Sequence, residues 1–318
     1  MAMTHEAKTH AAPFAGSTLT GTQPRRCCSA IAAAAANIAL PGCQSKCGEL
    51  DIPYPFGISA GCYRPGFKVT CNRKPGVGVA QKLTLGDAAG PAVLEISVPN
   101  STVRIRSVTW FFAAGNTSMR RLAVVPSAGA GEPHQYVLSP KRNSLVHVGC
   151  GFRASSWTAH GARAFSNCSS SCHKDDRRVP AQRCSGTGCC EARLPSGGLN
   201  GSFRTRLEWG TAERRVASPW IATDSASLFA AERVWWRDGT NSYTVKMSLL
   251  AFGKAGAVVV PAVLDWAFDK SSTCAEAAPR PDIGCPSKHS ECVDSDGGAR
   301  GYVCKCGNGY QGNPYVRD

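Results

Sequence analysis

The sequence predicts a mainly β, disulfide-rich protein that is built from small modules rather than around one large core. Seventeen cysteines in a chain of 318 residues imply an oxidising compartment, because free thiols are rarely kept at that density. Short runs that alternate apolar and polar residues are bounded by Gly, Pro and Asn, as half-buried strands are. Helical periodicity is weak along the chain, and its length allows two or three domains.

The cysteines fall into three clusters, at residues 43–71, 150–190 and 274–306. A zinc site would need ligand pairs two residues apart, and C-x2-C does not occur, so we expect disulfides and no metal site. The adjacent Cys189 and Cys190 should have different partners, since a vicinal bridge is strained. In the first two clusters the pairing stays open among Cys43, Cys47, Cys62, Cys71, Cys150, Cys168, Cys172, Cys184, Cys189 and Cys190.

Two strands are predicted at residues 93–98 and 102–108 by their period-two alternation. In the second strand Val103 and Ile105 would face the core, while Arg104 and Arg106 would project together from the other face. Two guanidiniums about 7 Å apart suit successive carboxylates on an extended polymer. The alternative is an exposed strand face that arginine keeps soluble.

Further elements are predicted towards the carboxyl end. Residues 233–249 should form a strand pair around the Asp-Gly dipeptide at 238–239, a hairpin signal. The apolar run at 258–264 should be a buried strand, with Pro261 restricting part of it to an edge or a bulge. Residues 225–234 could form a short helix.

The formal net charge of +14 favours polyanionic partners. Nucleic acid is not expected, because the compartment is oxidising and no RNP, zinc-finger or helix-turn-helix signature is present. A solvated basic surface without a ligand is the alternative. Four N-x-[ST] sequons add support for an extracellular protein, and they predict glycosylation at Asn100, Asn116, Asn167 and Asn200.

Residues 1–41 are expected to be a poorly structured amino-terminal segment. Within it an alanine-rich apolar stretch, 27–40, follows Arg25 and Arg26 and resembles a secretory signal. The stretch is shorter than the roughly 20 apolar residues that cross a bilayer. We therefore expect secretion and no membrane span in this chain.

The segment C-Q-S-K-C-G-E-L-D-I-P-Y-P-F-G-I at residues 43–58, followed by Gly61 and Cys62, closely resembles the opening of the galacturonan-binding domain of plant wall-associated kinases. Its prolines fix φ, and disulfides could hold the rings of Tyr54 and Phe56 rigid. We expect Phe56 in the core. The resemblance implies polygalacturonate contacts from Tyr54 and from the basic residues Arg64, Lys68, Arg73, Lys74, Lys82, Arg104 and Arg106.

The cysteine-rich stretch 167–190 is similar to the region that follows this domain in the same family. The last cluster, Cys-x10-Cys-x6-Cys-x11-Cys-x-Cys and then G-Y-Q-G-N-P-Y, resembles the family's EGF-like module. That resemblance implies bridges Cys274–Cys292 and Cys285–Cys304, with the partner of Cys306 just beyond Asp318, so the EGF-like domain would be incomplete. We expect no calcium, because the acidic cluster before the first cysteine is poor. The implied domains are 42–149 (core 43–108), 150–273 and 274–318.

No catalytic motif is recognisable: G-x-S-x-G, H-E-x-x-H and a Walker loop do not occur. We therefore expect neither an enzyme nor a cofactor. The resemblance implies non-catalytic binding of pectin (polygalacturonate) in the cell wall, as the ectodomain of a receptor-like kinase, which would be membrane-tethered in a longer gene product. Two alternatives stay open: a protein-interaction module for a receptor-kinase partner, and a truncated receptor fragment without sugar binding.

Overall fold

The computed structural model describes residues 25–26, 38–72, 81–124, 135–172, 184–210, 225–252, 259–268, 272–278 and 285–317. Within these ranges twenty strands and three helices are present. The predicted mainly β, disulfide-rich fold is confirmed.

One four-stranded antiparallel sheet combines strands from distant parts of the chain. Its order is β10-β17-β7-β6, with β6 (Val93–Ser97), β7 (Thr102–Arg106), β10 (Tyr136–Leu138) and β17 (Pro261–Trp266). Both strands predicted from alternation near residues 93 and 102 are therefore confirmed. Val103 and Ile105 are buried as expected, because one face of β7 packs on the core.

Two further four-stranded antiparallel sheets form most of the remaining body. The first has the order β14-β11-β16-β8 and comprises β8 (Thr109–Ala113), β11 (Asn143–Val148), β14 (Cys189–Arg193) and β16 (Ser225–Glu232). The second has the order β13-β12-β15-β9 and comprises β9 (Arg120–Ala123), β12 (Phe152–Thr158), β13 (Ser166–Ser170) and β15 (Ser202–Trp209). Strands from both sides of residue 149 share these sheets. The predicted division into residues 42–149, 150–273 and 274–318 therefore stays a prediction.

Four two-stranded sheets complete the strands of the described ranges. They pair β2 (Lys46–Cys47) with β3 (Leu50–Asp51), β4 (Val69–Asn72) with β5 (Lys82–Leu85), β18 (Ser290–Asp294) with β19 (Tyr302–Cys306), and β1 (Arg25–Arg26) with β20 (Tyr310–Gln311).

Two local predictions were wrong. The expected strand pair around Asp238 is instead α1 (Arg233–Arg237) followed by α2 (Gly239–Phe252). Asp238 Oδ1 accepts a hydrogen bond from the Thr240 amide at 3.0 Å, so it caps a helix start rather than a hairpin turn. The expected short helix at 225–234 is mostly the strand β16, which is buried on both faces between β11 and β8.

The position of Pro261 also differs from its prediction. It is the first residue of β17, which lies inside the sheet between β10 and β7 rather than at an edge. The first position of a strand tolerates proline. The third helix, α3 (Cys274–Ala277), begins at a capping box formed by Thr273 and Glu276.

Seven disulfides lie in the described part of the chain, and none joins one cysteine cluster to another. They are Cys43–Cys62, Cys47–Cys71, Cys150–Cys172, Cys168–Cys190, Cys184–Cys189, Cys274–Cys292 and Cys285–Cys304. The last two are the pairs that the family resemblance implied, and the neighbours Cys189 and Cys190 do take different partners. The Cys306 thiol lies 3.6 Å from the Gly312 carbonyl oxygen.

An aromatic cluster joins the first and last modules to the sheet β10-β17-β7-β6. Trp266 of β17 meets Phe56 at 5.6 Å, Phe67 at 5.3 Å and Tyr315 at 5.8 Å between ring centroids. Tyr315 also lies 5.1 Å from Phe268. These edge and tilted contacts bury large ring surfaces. The modules therefore share one hydrophobic core instead of each forming a separate one.

Candidate functional site

The segment at residues 43–58 is a stapled loop whose apolar ring points inward. Cys43–Cys62 and Cys47–Cys71 close it, and the Gly57 carbonyl accepts from the Val69 amide at 2.9 Å. Phe56 is 1% exposed and meets Phe67 edge to face at 5.2 Å. The expected core position of Phe56 is confirmed, so this part of the motif organises the module rather than presenting a ring to a ligand.

Tyr54 and Arg64 both take part in internal contacts. The half-buried ring of Tyr54 packs against the core, and its carbonyl oxygen accepts from Asn313 Nδ2 at 2.7 Å. The Arg64 guanidinium lies over the Phe268 ring, 5.7 Å from its centroid, a cation–π geometry. Their predicted ligand contacts stay predictions, and both side chains have a structural role.

Arg104 is fixed by an acidic partner from another sheet. Its guanidinium donates to Glu232 Oε2 from Nη2 at 2.7 Å and from Nε at 2.8 Å. Glu232 ends β16, 128 residues away in sequence. Sequence reasoning missed this partner because no local pattern signals a pairing over that separation. Arg106, two residues on, is exposed.

Three exposed or half-exposed basic residues remain in the hairpin β4–β5 and on β7: Lys68, Lys82 and Arg106. Lys82 pairs in register with Asn72 at the far end of the β4–β5 hairpin, whereas Lys68 immediately precedes β4. By strand alternation both project from the same hairpin face, about 13 Å apart along the strand direction. The opposite face buries Val69 and Leu83.

Arg106 extends this basic surface two strands away from β5, on β7. Its amide donates to the Ala92 carbonyl at 2.8 Å, and Ala92 forms an isolated bridge with Thr84 of β5. Two strand spacings place its backbone about 10 Å from that of Thr84. We call Lys68, Lys82 and Arg106 the basic triad. Arg73 and Lys74, also predicted to contact the ligand, lie outside the described residues.

In the described chain, only one weak ion pair would compete with a bound anion for the charges of the basic triad. Lys68 Nζ lies 3.4 Å from Asp87 Oδ1, and the Asp87 side chain is 80% exposed. Such a surface pair contributes little and is readily exchanged for another anion. No other ion pair of the described residues involves the triad.

The four sequon asparagines are all exposed. Asn100 Nδ2 donates to Ser97 Oγ at 2.9 Å, Asn116 Oδ1 accepts from the Ser118 amide, and Asn167 Oδ1 accepts from Ser155 Oγ. Asn200 lies beside a groove described below. Their glycosylation stays a prediction.

One cluster of metal-binding residue types is found in the described ranges: His147, Cys168 and Cys190, with ligand atoms within 4.8 Å of one another. The two sulfur atoms are bonded to each other in one disulfide, so the cluster offers a single imidazole, whereas a structural zinc site takes four ligands. Burial lowers the pKa of His147 to about 3, and neither ring nitrogen has a hydrogen-bond partner among the described atoms. His147 is therefore a neutral core residue.

Comparison with known proteins identifies the same region as the sequence motif. The family described as wall-associated receptor kinase galacturonan-binding matches residues 43–107, which include the whole basic triad. No solved structure matches the chain significantly. In the part of the chain that the structure describes, no helix has the length and apolar character needed to cross a membrane.

Relatives extend the similarity over most of the chain. Wall-associated receptor kinase 5 of Arabidopsis thaliana is 28% identical over 291 residues, which cover 87% of this chain and 34% of the relative. Wall-associated receptor kinase 2 is 28% identical over 277 residues, and wall-associated receptor kinase-like 1 is 34% identical over 168 residues, both from the same plant. The chain thus spans about a third of the first two relatives, and the matches cover the extracellular galacturonan-binding region rather than the kinase domain. Most of the chain is thus similar to the extracellular region of wall-associated receptor kinases, and residues 43–107 match their galacturonan-binding domain.

Proposed function

We propose that this chain binds de-esterified pectin outside the cell without catalysis, as the wall-facing part of a receptor-like kinase. The observation that carries the proposal is the basic triad, which lies entirely within the galacturonan-binding match at residues 43–107. Polygalacturonate is an extended polymer with one carboxylate on each sugar unit. Ammonium and guanidinium groups spaced along one surface suit such a row of anions.

The rest of the module supports this role by holding the triad in place. Two disulfides and the buried Phe56 fix the loop from which Lys68 and β4 emerge. The Arg104–Glu232 pair anchors β7 beside Arg106. A surface held rigid before binding loses less conformational entropy when the polymer binds.

Retention on immobilised polygalacturonate tests the proposal. We expect the chain to be retained at low salt, to elute as salt rises because screening weakens exposed charge pairs, and to bind poorly when the carboxylates are methyl-esterified. Retention that is insensitive both to salt and to methyl-esterification would contradict charge-driven recognition.

A second candidate function is binding of a receptor partner protein, and one observation favours it. Within the described sheets β8 is an edge strand that exposes Phe111 at 40%, and nearby Val108 is 48% exposed. An exposed apolar edge can accept a strand from another chain. Replacement of Phe111 by Lys should abolish such pairing and leave polygalacturonate retention unchanged.

A further inference from the structure

The sheet β13-β12-β15-β9 has an outer face with a different character from its inner face. The inner face packs into the core through Phe152, Ala154, Phe203, Leu207 and Leu122. On the outer face Trp157, Arg204 and Arg121 lie directly opposite one another on three adjacent strands. Opposed residues have Cβ atoms about 5 Å apart, so this row places one indole and two guanidiniums within about 10 Å.

The two arginines of the row have no acidic partner in the described chain. None of its five ion pairs includes Arg121 or Arg204. Arg204 Nη2 donates to the Gly161 carbonyl at 2.6 Å, while its buried Nε has no partner. Like charges directly opposite on a sheet are destabilising. An anion bound between them would remove that cost.

Trp157 lies beside this charge. Its side chain is half-buried, yet it does not pack against either hydrophobic core cluster of the described residues. Trp157 also takes part in none of the aromatic ring contacts between described residues. An indole next to unpaired guanidiniums offers an apolar face for a sugar ring beside donors for its carboxylate.

Arg121 of the row also lines an open groove of about 560 Å³, a volume within the usual range of ligand sites. Arg121, Ser202, Thr158, His160 and Asn200 contribute polar groups to its walls, and the remaining lining residues are small or apolar. A groove lined by polar groups and small side chains suits a hydroxyl-rich ligand better than an apolar peptide.

We propose that Trp157, Arg204, Arg121 and this groove form a second binding site, separate from the basic triad, for an acidic oligosaccharide. One ring stacks on Trp157, and carboxylates pair with the two guanidiniums. The site rests on the geometry of this sheet alone and does not require the triad to bind sugar.

Calorimetric titration of the full chain with trigalacturonate tests the site. Two ligands per chain are expected for the unaltered protein. Arg121→Gln should weaken one of the two sites about tenfold, as expected for loss of one charge-assisted contact, and Trp157→Ala should weaken the same site. Arg153→Gln is the matched control, because Arg153 is exposed on the same face of β12 but outside the row.

The titration should be run on protein with its native glycans and on Asn200→Gln, because a glycan at Asn200 would occupy the groove. Weakening by Arg121→Gln in either background supports the site. Unchanged affinity and stoichiometry in both backgrounds overturn it. Replacing the basic triad affects only the other site, so failure of the proposed function is distinguishable from failure of this inference.

Discussion

Asn313 near the carboxyl end donates from its side-chain amide to the Tyr54 carbonyl oxygen at 2.7 Å and to the Ile38 carbonyl oxygen at 2.9 Å. The G-Y-Q-G-N-P-Y segment of the EGF-like module is thereby joined to the Y-P-F-G motif of the galacturonan-binding segment. Asp265 of β17 links the last module to the sheet β10-β17-β7-β6 as well, since its carboxylate accepts from the Gly298 amide at 3.0 Å. The last module thus supports the first, in addition to any role as a spacer.

Replacing Asn313 with Ala should destabilise the protein by about 2 kcal/mol, because the Tyr54 carbonyl loses its side-chain donor and the buried Tyr315 amide loses its acceptor, Asn313 Oδ1. The Ile38 carbonyl would keep only the Tyr54 amide as a donor. Asn308→Ala in the same module is the matched control, since Asn308 is exposed and should have little effect. Urea denaturation followed by tryptophan fluorescence measures both. Equal stability of the two variants would show that the amide contacts do not join the modules.

The Arg104–Glu232 pair should contribute a coupling free energy on the order of 1 kcal/mol, because it is partly buried and doubly hydrogen-bonded. A double-mutant cycle with Arg104→Met and Glu232→Gln measures this coupling. The exposed Lys46–Asp51 pair provides the comparison and should give a smaller value. A smaller coupling for Arg104–Glu232 than for Lys46–Asp51 would contradict the assigned role.

His147 should make the protein less stable in acid. Its pKa is lowered from 6.5 to about 3 in the folded chain, so between these values the unfolded chain binds the extra proton. Stability is then lost as pH falls from 6.5 towards 3, by up to about 1.4 kcal/mol per pH unit.

The variant His147→Leu should remove this part of the pH dependence. Denaturant unfolding at pH 4 and pH 7 measures the difference for the unaltered protein and for the variant, with His160→Leu at an exposed position as the control. A pH dependence in His147→Leu as steep as in the unaltered protein would show that this imidazole is not buried and neutral.

Disulfide mapping by mass spectrometry without reduction should find Cys184 joined to Cys189 and Cys168 joined to Cys190. Fragmentation between Cys189 and Cys190 distinguishes this pattern from the exchanged one, in which Cys184 would be joined to Cys190 and Cys168 to Cys189. Finding Cys184 joined to Cys190 would require a different packing of β13 against β14.

Sequence patterns predicted those parts of the fold whose signals are local. Period-two alternation located β6 and β7 because each has one buried face. The same reasoning failed for β16, because a strand buried on both faces carries no alternation. The predicted hairpin at Asp238-Gly239 was wrong because this dipeptide suits both a hairpin turn and the start of a helix.

The candidate site could be predicted where local signals identify its residues, and Arg106 was selected from the alternation of residues 102–108. Lys68 and Lys82 could be selected because they lie within the recognisable segment. The partner of Arg104 and the row of Trp157, Arg204 and Arg121 depend on strand pairing between distant segments, and this information is absent from any local window.

The most direct test of the account is the affinity of the triad for oligogalacturonate. Calorimetry should compare the unaltered chain with a variant that combines Lys68→Gln, Lys82→Gln and Arg106→Gln. The control combines Arg142→Gln, Arg237→Gln and Arg317→Gln, which removes equal charge from exposed positions outside residues 43–107. We predict that the first variant loses binding at one site by about tenfold or more and that the control keeps it. Equal affinity and stoichiometry in all three proteins would contradict recognition of pectin through this surface.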